Sequence, residues 1–232
     1  MSNETFLIPI KQNDDLSDIA LDELRADLDD HPLNQRFYSD YAYLPGNAKK
    51  YSLNRINTRK SPLMGKKILF FGSSVTFGFG ALGESFVDYL WKRDGVAAIK
   101  DADSVSHAES YLSRFKDELK EPKPELFTMQ ISKGNTVSDL KYIVTTAQKE
   151  WHCPILLYTN SFFTDPTYDR LVNQINKLAP KLGITVLDLY HNPEFKNQDS
   201  LYMIDEINPT RAGYRDKWLP VFERKLTEIF AK

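Results

Sequence analysis

From Lys66 to the C-terminus, short apolar runs alternate with segments of helical periodicity, and this alternation leaves few folds open to the chain. The runs fall at 68–71, 96–100, 126–131, 154–158 and 184–189. A helical segment around 84–92 carries Phe86 and Leu90, and the next carries Tyr111, Leu112, Phe115 and Leu119. Leu140, Ile143, Val144, Ala147 and Trp151 follow at i, i+3, i+4, i+7 and i+11, the stripe of an amphipathic helix. Asp165 and Pro166 read as an N-cap and a first-turn proline opening a helix with Leu171, Ile175 and Leu178. A last helix carries Trp218, Phe222 and Ile229. Strands and helices in strict alternation predict an α/β domain: a three-layer α/β/α sandwich around a five-stranded parallel sheet, flavodoxin-like. In such a fold, ligands bind at the carboxyl ends of the strands.

Residues 1–65 read differently from the domain at 66–232. They begin polar and acidic, with Leu16, Ile19, Leu24 and Leu28 at roughly helical spacing. That helix must stop at His31-Pro32, because a residue before proline is pushed out of the α region. Tyr38, Tyr41, Tyr43 and Pro45-Gly46 follow, too aromatic for a free tail. The segment is expected to wrap over the main domain; the competing reading is an arm that makes a homodimer.

Composition removes several classes of function. A net charge of −2 gives no basis for binding nucleic acid. No apolar run approaches the roughly 20 residues that a membrane span needs. One cysteine, Cys153, allows no internal disulfide and suits a reducing compartment, so a cytoplasmic protein is expected. The four histidines are scattered and no cysteine pair exists, so no metal site is expected.

The segment Lys67-Ile-Leu-Phe-Phe-Gly-Ser-Ser-Val-Thr-Phe-Gly78 ends an apolar run abruptly in small residues. It places Ser74 on a tight turn at the carboxyl end of the first strand, beside backbone N–H groups suited to an oxyanion or phosphate. Asp205-Glu-Ile-Asn208-Pro-Thr-Arg-Ala-Gly213-Tyr214 forms a second turn and helix start. Residues 104–107, 132–135, Asn160, Ser161 and His191 follow the other strands, so topology gathers all of them at one rim. A serine nucleophile needs a base in hydrogen-bond reach, a group orienting that base, and donors for the oxyanion. The two end elements together point to a hydrolase site, with Asn208 standing where a base is wanted. His107 and His191 are the alternative base candidates on the same rim.

Three phrases carry a resemblance to a known family: Ile56-Asn-Thr-Arg-Lys-Ser-Pro-Leu-Met-Gly-Lys-Lys-Ile-Leu-Phe-Phe-Gly-Ser-Ser-Val-Thr76, Cys153-Pro-Ile-Leu-Leu-Tyr-Thr-Asn160, and Leu201-Tyr-Met-Ile-Asp-Glu-Ile-Asn-Pro-Thr-Arg-Ala-Gly-Tyr214. Over about three quarters of its length the chain resembles the SGNH (GDSL-type) hydrolases, especially a small bacterial branch. The resemblance implies hydrolysis of esters and O-acyl groups by a serine nucleophile without a cofactor, acting on a small acylated substrate. It assigns Ser74 as nucleophile, with its own N–H as an oxyanion donor, and Asp205 as the acid of an Asp-X-X-His pattern.

The chain departs from the family at the remaining positions. The histidine falls on Asn208, and the second-block oxyanion glycine falls near Val105. In the third block, Ser132-Lys133-Gly134-Asn135 puts Gly134 at the asparagine position, with Asn135 one residue late and a shorter loop after it. The oxyanion-hole candidates are therefore Ser74, Val105, Gly134 and Asn135. An amide has no useful basicity near neutral pH. The expected consequence is weakened or lost ester hydrolysis, the alternative being a non-catalytic protein that binds a ligand or a partner.

Overall fold

The computed structural model describes residues 41–103, 108–196 and 199–231. Five strands, β1 (Lys67–Gly72), β2 (Ala97–Ala102), β3 (Leu126–Ile131), β4 (Ile155–Thr159) and β5 (Thr185–Leu187), form one parallel sheet in the order β2-β1-β3-β4-β5. This is the flavodoxin-like order, and its switch point, where the chain reverses direction across the sheet, lies between β1 and β3. The helices are α1 (Ser74–Phe77), α2 (Phe86–Asp94), α3 (Ala108–Glu118), α4 (Val137–Trp151) and α5 (Pro166–Leu182). The last helix, α6, begins as Arg211–Gly213, widens into a π turn at Tyr214–Trp218, and continues as Leu219–Phe230.

Alternation along the strands builds two cores. Ile68 and Phe70 of β1 face α2 and α6, where Phe86 stacks on Phe222 with ring centroids 4.0 Å apart and lies 5.5 Å from both Trp218 and Tyr158. Leu69 and Phe71 face the opposite layer of α3, α4 and α5, where Phe71 meets Tyr111 edge-on at 5.1 Å and Phe127 meets Trp151 at 5.1 Å. Both faces of the sheet are covered, which is why its strands read as nearly continuous apolar runs.

Three boundaries depart from the sequence expectation, each for a local reason. The helix expected from Glu84 begins at Phe86, because Ser85 caps it: its hydroxyl accepts from the Val87 N–H, and Asp88 accepts from the Ser85 N–H. Strand β2 runs past Lys100 to Ala102 because Asp101, a charge that ends an apolar reading, is paired with Arg114 and fully buried. Strand β5 stops at Leu187, short of the expected Leu189, because the Leu189 and Tyr190 N–H groups donate to the Thr159 hydroxyl instead of a neighbouring strand. The N-cap at Asp165 holds as read, its carboxylate accepting from the Thr167 and Tyr168 N–H groups.

The expected helix through Leu16 and Leu28, with residues 1–40 generally, lies outside the described residues, as do Val105 and His107. Residues 41–65 run over the main domain. They make 3-10 turns at Pro45–Asn47, Lys49–Tyr51 and Leu53–Arg55, and bury Leu53 and Leu63 in the α2/α6 core. No helix among the described residues is long and apolar enough to cross a membrane.

Candidate functional site

Ser74 is the first residue of α1, directly after β1. The turn needs Gly72, since a Cβ there would fall 1.8 Å from the Thr76 hydroxyl. It also needs Gly78, which closes α1 at φ 95°. Gln130, buried on β3, accepts at its Oε1 from the Ser73 N–H (2.9 Å), the Thr76 N–H (3.2 Å) and the Thr76 hydroxyl (2.6 Å). Its Nε2 donates to Asn160 Oδ1 at 2.8 Å, which fixes the amide orientation. Helix α3 grips the other side: Arg114 Nη2 donates to the Gly72 carbonyl at 2.7 Å, and Tyr111, Ser132 and Ser73 form a hydroxyl chain with spacings of 2.7 and 2.6 Å. From α6 the Tyr214 hydroxyl donates to the Val75 carbonyl at 2.6 Å. Burial pushes that phenol well above its ordinary pKa, so it remains a donor.

The Asp205–Asn208 turn approaches from the C-terminal side. Asp205 Oδ1 accepts from the Ile207 N–H (2.7 Å) and the Asn208 N–H (2.6 Å), and Oδ2 accepts from Asn208 Nδ2 at 2.8 Å. That last bond fixes the Asn208 amide, because its oxygen would repel the carboxylate. Asn208 Oδ1 is left buried with no donor. The 3-10 turn Phe79–Ala81 after α1 packs directly on this element: a Cβ at Gly80 would lie 2.6 Å from the Pro209 carbonyl and 3.1 Å from that of Asn208.

Residues 41–55 clamp these two elements together. Asn47 Nδ2 donates to the Gly80 carbonyl at 2.9 Å, while its Oδ1 accepts from the Arg211 N–H at 3.0 Å. Arg211 Nη2 pairs with Glu84 Oε1 at 2.6 Å, and Glu84 Oε2 accepts from the Leu53 N–H at 2.8 Å. Burial raises the Glu84 pKa despite the opposing charge of Arg211.

The oxyanion-hole candidates diverge. Gly134 is exposed, at φ 93°, and has no side chain to offer at the position where the family carries its amide. Asn135 is buried; its Oδ1 accepts from the Ser132 N–H at 2.7 Å, so its Nδ2 is oriented away and stays buried without an acceptor. His191, the alternative base candidate, is engaged in other contacts. Its Nδ1 is 2.7 Å from Asp188 and its Nε2 2.9 Å from Asp169, so both ring nitrogens are already engaged by carboxylates. Partial burial lowers its pKa, but the hydrogen bonds to Asp188 and Asp169 outweigh this and the net shift is upward.

Sequence reasoning missed Gln130, Arg114, Asn47 and the Glu84–Arg211 pair. Gln130 had a signal: a polar residue inside the largely apolar run at 126–131, on the strand beside the one that leads into Ser74. The other contacts join residues more than 30 positions apart and leave no local pattern.

No family model matches the chain, and no curated protein matches it in sequence. Solved structures do match in shape. A lipolytic protein of the G-D-S-L family from Desulfitobacterium hafniense superposes with a TM-score of 0.58 at 19% identity, covering 69% of this chain and 99% of its own. The acetylxylan esterase Axe2 from Geobacillus stearothermophilus gives 0.56 at 18% identity, covering 70% of this chain and 94% of its own. Variants of that esterase at one serine, one aspartate and one histidine, the aspartate three positions before the histidine, are described as catalytic mutants. With the sheet order and the turn after β1, these likenesses show that the chain has the SGNH (GDSL-type) hydrolase fold.

Proposed function

We propose that this chain is an SGNH-type hydrolase homologue that keeps the acyl-binding half of an ester-cleaving site and lacks most of its proton-transfer half. The observation that carries the reading is Asn208, three positions after Asp205 and hydrogen-bonded to it as a catalytic histidine would be. The amide can orient a neighbour but cannot accept the serine proton near neutral pH. Loss of a triad member leaves a residual acceleration of roughly 10³–10⁴ over water in serine proteases, and slow turnover of this order is the ceiling expected here.

The binding half is better supported. Ser74 sits on a turn held from β3, α3 and α6, with its N–H at a helix start. Asn135 Nδ2 is a buried donor without an acceptor, and a carbonyl oxygen is the group that such a donor suits. The ligand class is a small O-acyl ester, with acetyl the first acyl group to try by likeness to the acetylxylan esterase. The single Cys153 supports a cytoplasmic setting.

Hydrolysis of p-nitrophenyl acetate by the purified chain beside its Ser74→Ala variant tests this. Equal, near-background rates together with saturable binding of the ester fit the proposal. A rapid rate that vanishes with Ser74 would mean that another group serves as base. Absence of both turnover and binding would remove the acyl-binding half as well.

A further inference from the structure

Beneath the Ser74 turn, on the side away from Asn208, lies a cluster of charges that the proposed chemistry does not use. Asp101 of β2 and Arg114 and Glu118 of α3 are 1%, 5% and 6% exposed. Arg114 spends one terminal nitrogen on Asp101 Oδ1 (2.5 Å) and the other on the Gly72 carbonyl (2.7 Å), with its guanidinium 4.5 Å from the centre of the Phe71 ring. Glu118, one helical turn on, brings its carboxyl to Asp101. One cation thus faces two buried carboxyls. Asp101 Oδ2 has no donor, and the remaining guanidinium nitrogen, Nε, has no acceptor.

An orphaned carboxylate oxygen beside a second carboxyl is resolved by a proton between them, since two buried carboxylates in contact cannot both ionise cheaply. We propose that Glu118 holds a proton below neutral pH and donates it to Asp101 Oδ2, and that its loss loosens the hold of Arg114 on the Gly72 carbonyl, making the Ser74 turn responsive to pH.

The surrounding charges agree. Asp103 at the end of β2 and Glu121 just past α3 add further negative charge, and Arg114 is the cation that faces the pair among the described residues. Burial, reinforced by the charge of Asp101, raises Glu118 to about 7, and burial also raises Asp101. Once both carboxylates are charged they repel each other and compete for a guanidinium whose second nitrogen serves Gly72. That backbone bond is the contact free to give. Register transmits the change directly, because Asp101 pairs with Phe71 and Ala102 with Gly72. The inference does not depend on whether Ser74 turns over an ester.

The Gly72 carbonyl and the Ser73 N–H belong to one peptide unit, so the Ser73 amide resonance reports on the Arg114 bond. In a ¹⁵N NMR titration between about pH 5 and 9, the Ser73 amide of the full chain should move with a midpoint near 7. In Glu118→Gln, which keeps a donor of the same shape and cannot ionise, that movement should disappear and the pH 9 spectrum should match the wild-type low-pH form around Ser73. Movement that persists in Glu118→Gln would overturn the proposal. So would a Glu118 carboxyl ¹³C resonance in the wild-type chain that titrates near the ordinary glutamate value, a measurement that holds even if the variant does not fold.

Discussion

Replacing Asn208 by histidine tests the reading of the site at its weakest point. The Asn208 Nδ2 bonded to Asp205 Oδ2 at 2.8 Å stands one bond beyond Cγ, as histidine Nδ1 does. An imidazole in the same rotamer therefore donates from Nδ1 to Asp205 and projects Nε2 a ring's width further than the amide reaches, in the relation of base to orienting acid that the serine chemistry requires. Two terms set the magnitude. A positioned general base contributes about 10²–10⁴. Against it, the imidazole enters a site where Asn208 is only 8% exposed, and overpacking costs about 1–3 kcal/mol, mainly in stability. A net gain of about 10²–10³ in kcat/KM for p-nitrophenyl acetate is expected, or about 3–4 kcal/mol of transition-state stabilisation. The rate should rise with pH through the ordinary histidine range and vanish in the Asn208→His, Ser74→Ala double variant. A variant that melts cooperatively within a few degrees of the parent yet shows no Ser74-dependent rate would refute the reasoning. The defect would then lie in the oxyanion hole or in the alignment of Ser74.

Three further outcomes follow from the contacts around the site. Glu84→Ala should cost about 3–5 kcal/mol in urea denaturation, because it strands Arg211 as a buried unpaired charge, while Lys120→Ala, which removes an exposed pair with Asp117, should cost under about 1 kcal/mol. Gln130→Leu leaves the Ser73 and Thr76 N–H groups buried without an acceptor and should cost roughly 2–4 kcal/mol in the same assay; a smaller loss than Thr128→Val, which removes a single bond to the Leu69 carbonyl, would sink the role given to Gln130. The third outcome concerns pH. A group whose folded pKa is raised contributes stability below its unfolded pKa and loses it as pH climbs through the folded value. For Glu118, raised from 4.5 to about 7, that amounts to about 3 kcal/mol lost across this window, and His191, also raised, acts in the same direction at higher pH. The melting temperature should therefore fall from pH 5 to pH 8, and Glu118→Gln should flatten most of the fall; a rise over that range contradicts the assignment.

What the sequence discloses and what it hides divide along a physical line. Strand and helix positions are written locally, in apolar runs, caps and helix-ending glycines, so Leu126–Ile131 and the Asp165 cap read directly from the residues. The boundaries that escape are those set by a distant partner: Asp101 stays in β2 because Arg114 neutralises it, and β5 ends where the Thr159 hydroxyl takes its N–H groups. Ser74, Asp205 and Asn208 stand out as residue types on turns. The engagement of His191 by two carboxylates, one of them 22 positions away on α5, does not.

The same division bears on what kind of site this is. The contacts holding Ser74 in its turn come from Gln130, Arg114, Ser132 and Tyr214, side chains on three different elements and one loop, all directed at the backbone or side chains of residues 72–76. None of these contacts runs through Asn208, so the residue at that position can change without disturbing any of them. Asn208 even preserves the hydrogen bond to Asp205 that keeps its own turn closed. On the proposed reading, the base is absent at one position while the geometry of the Ser74 turn is supported independently of it. It follows that restoring the base by one substitution is a reasonable expectation here, where it would not be for a site whose nucleophile turn depended on the missing imidazole for its shape.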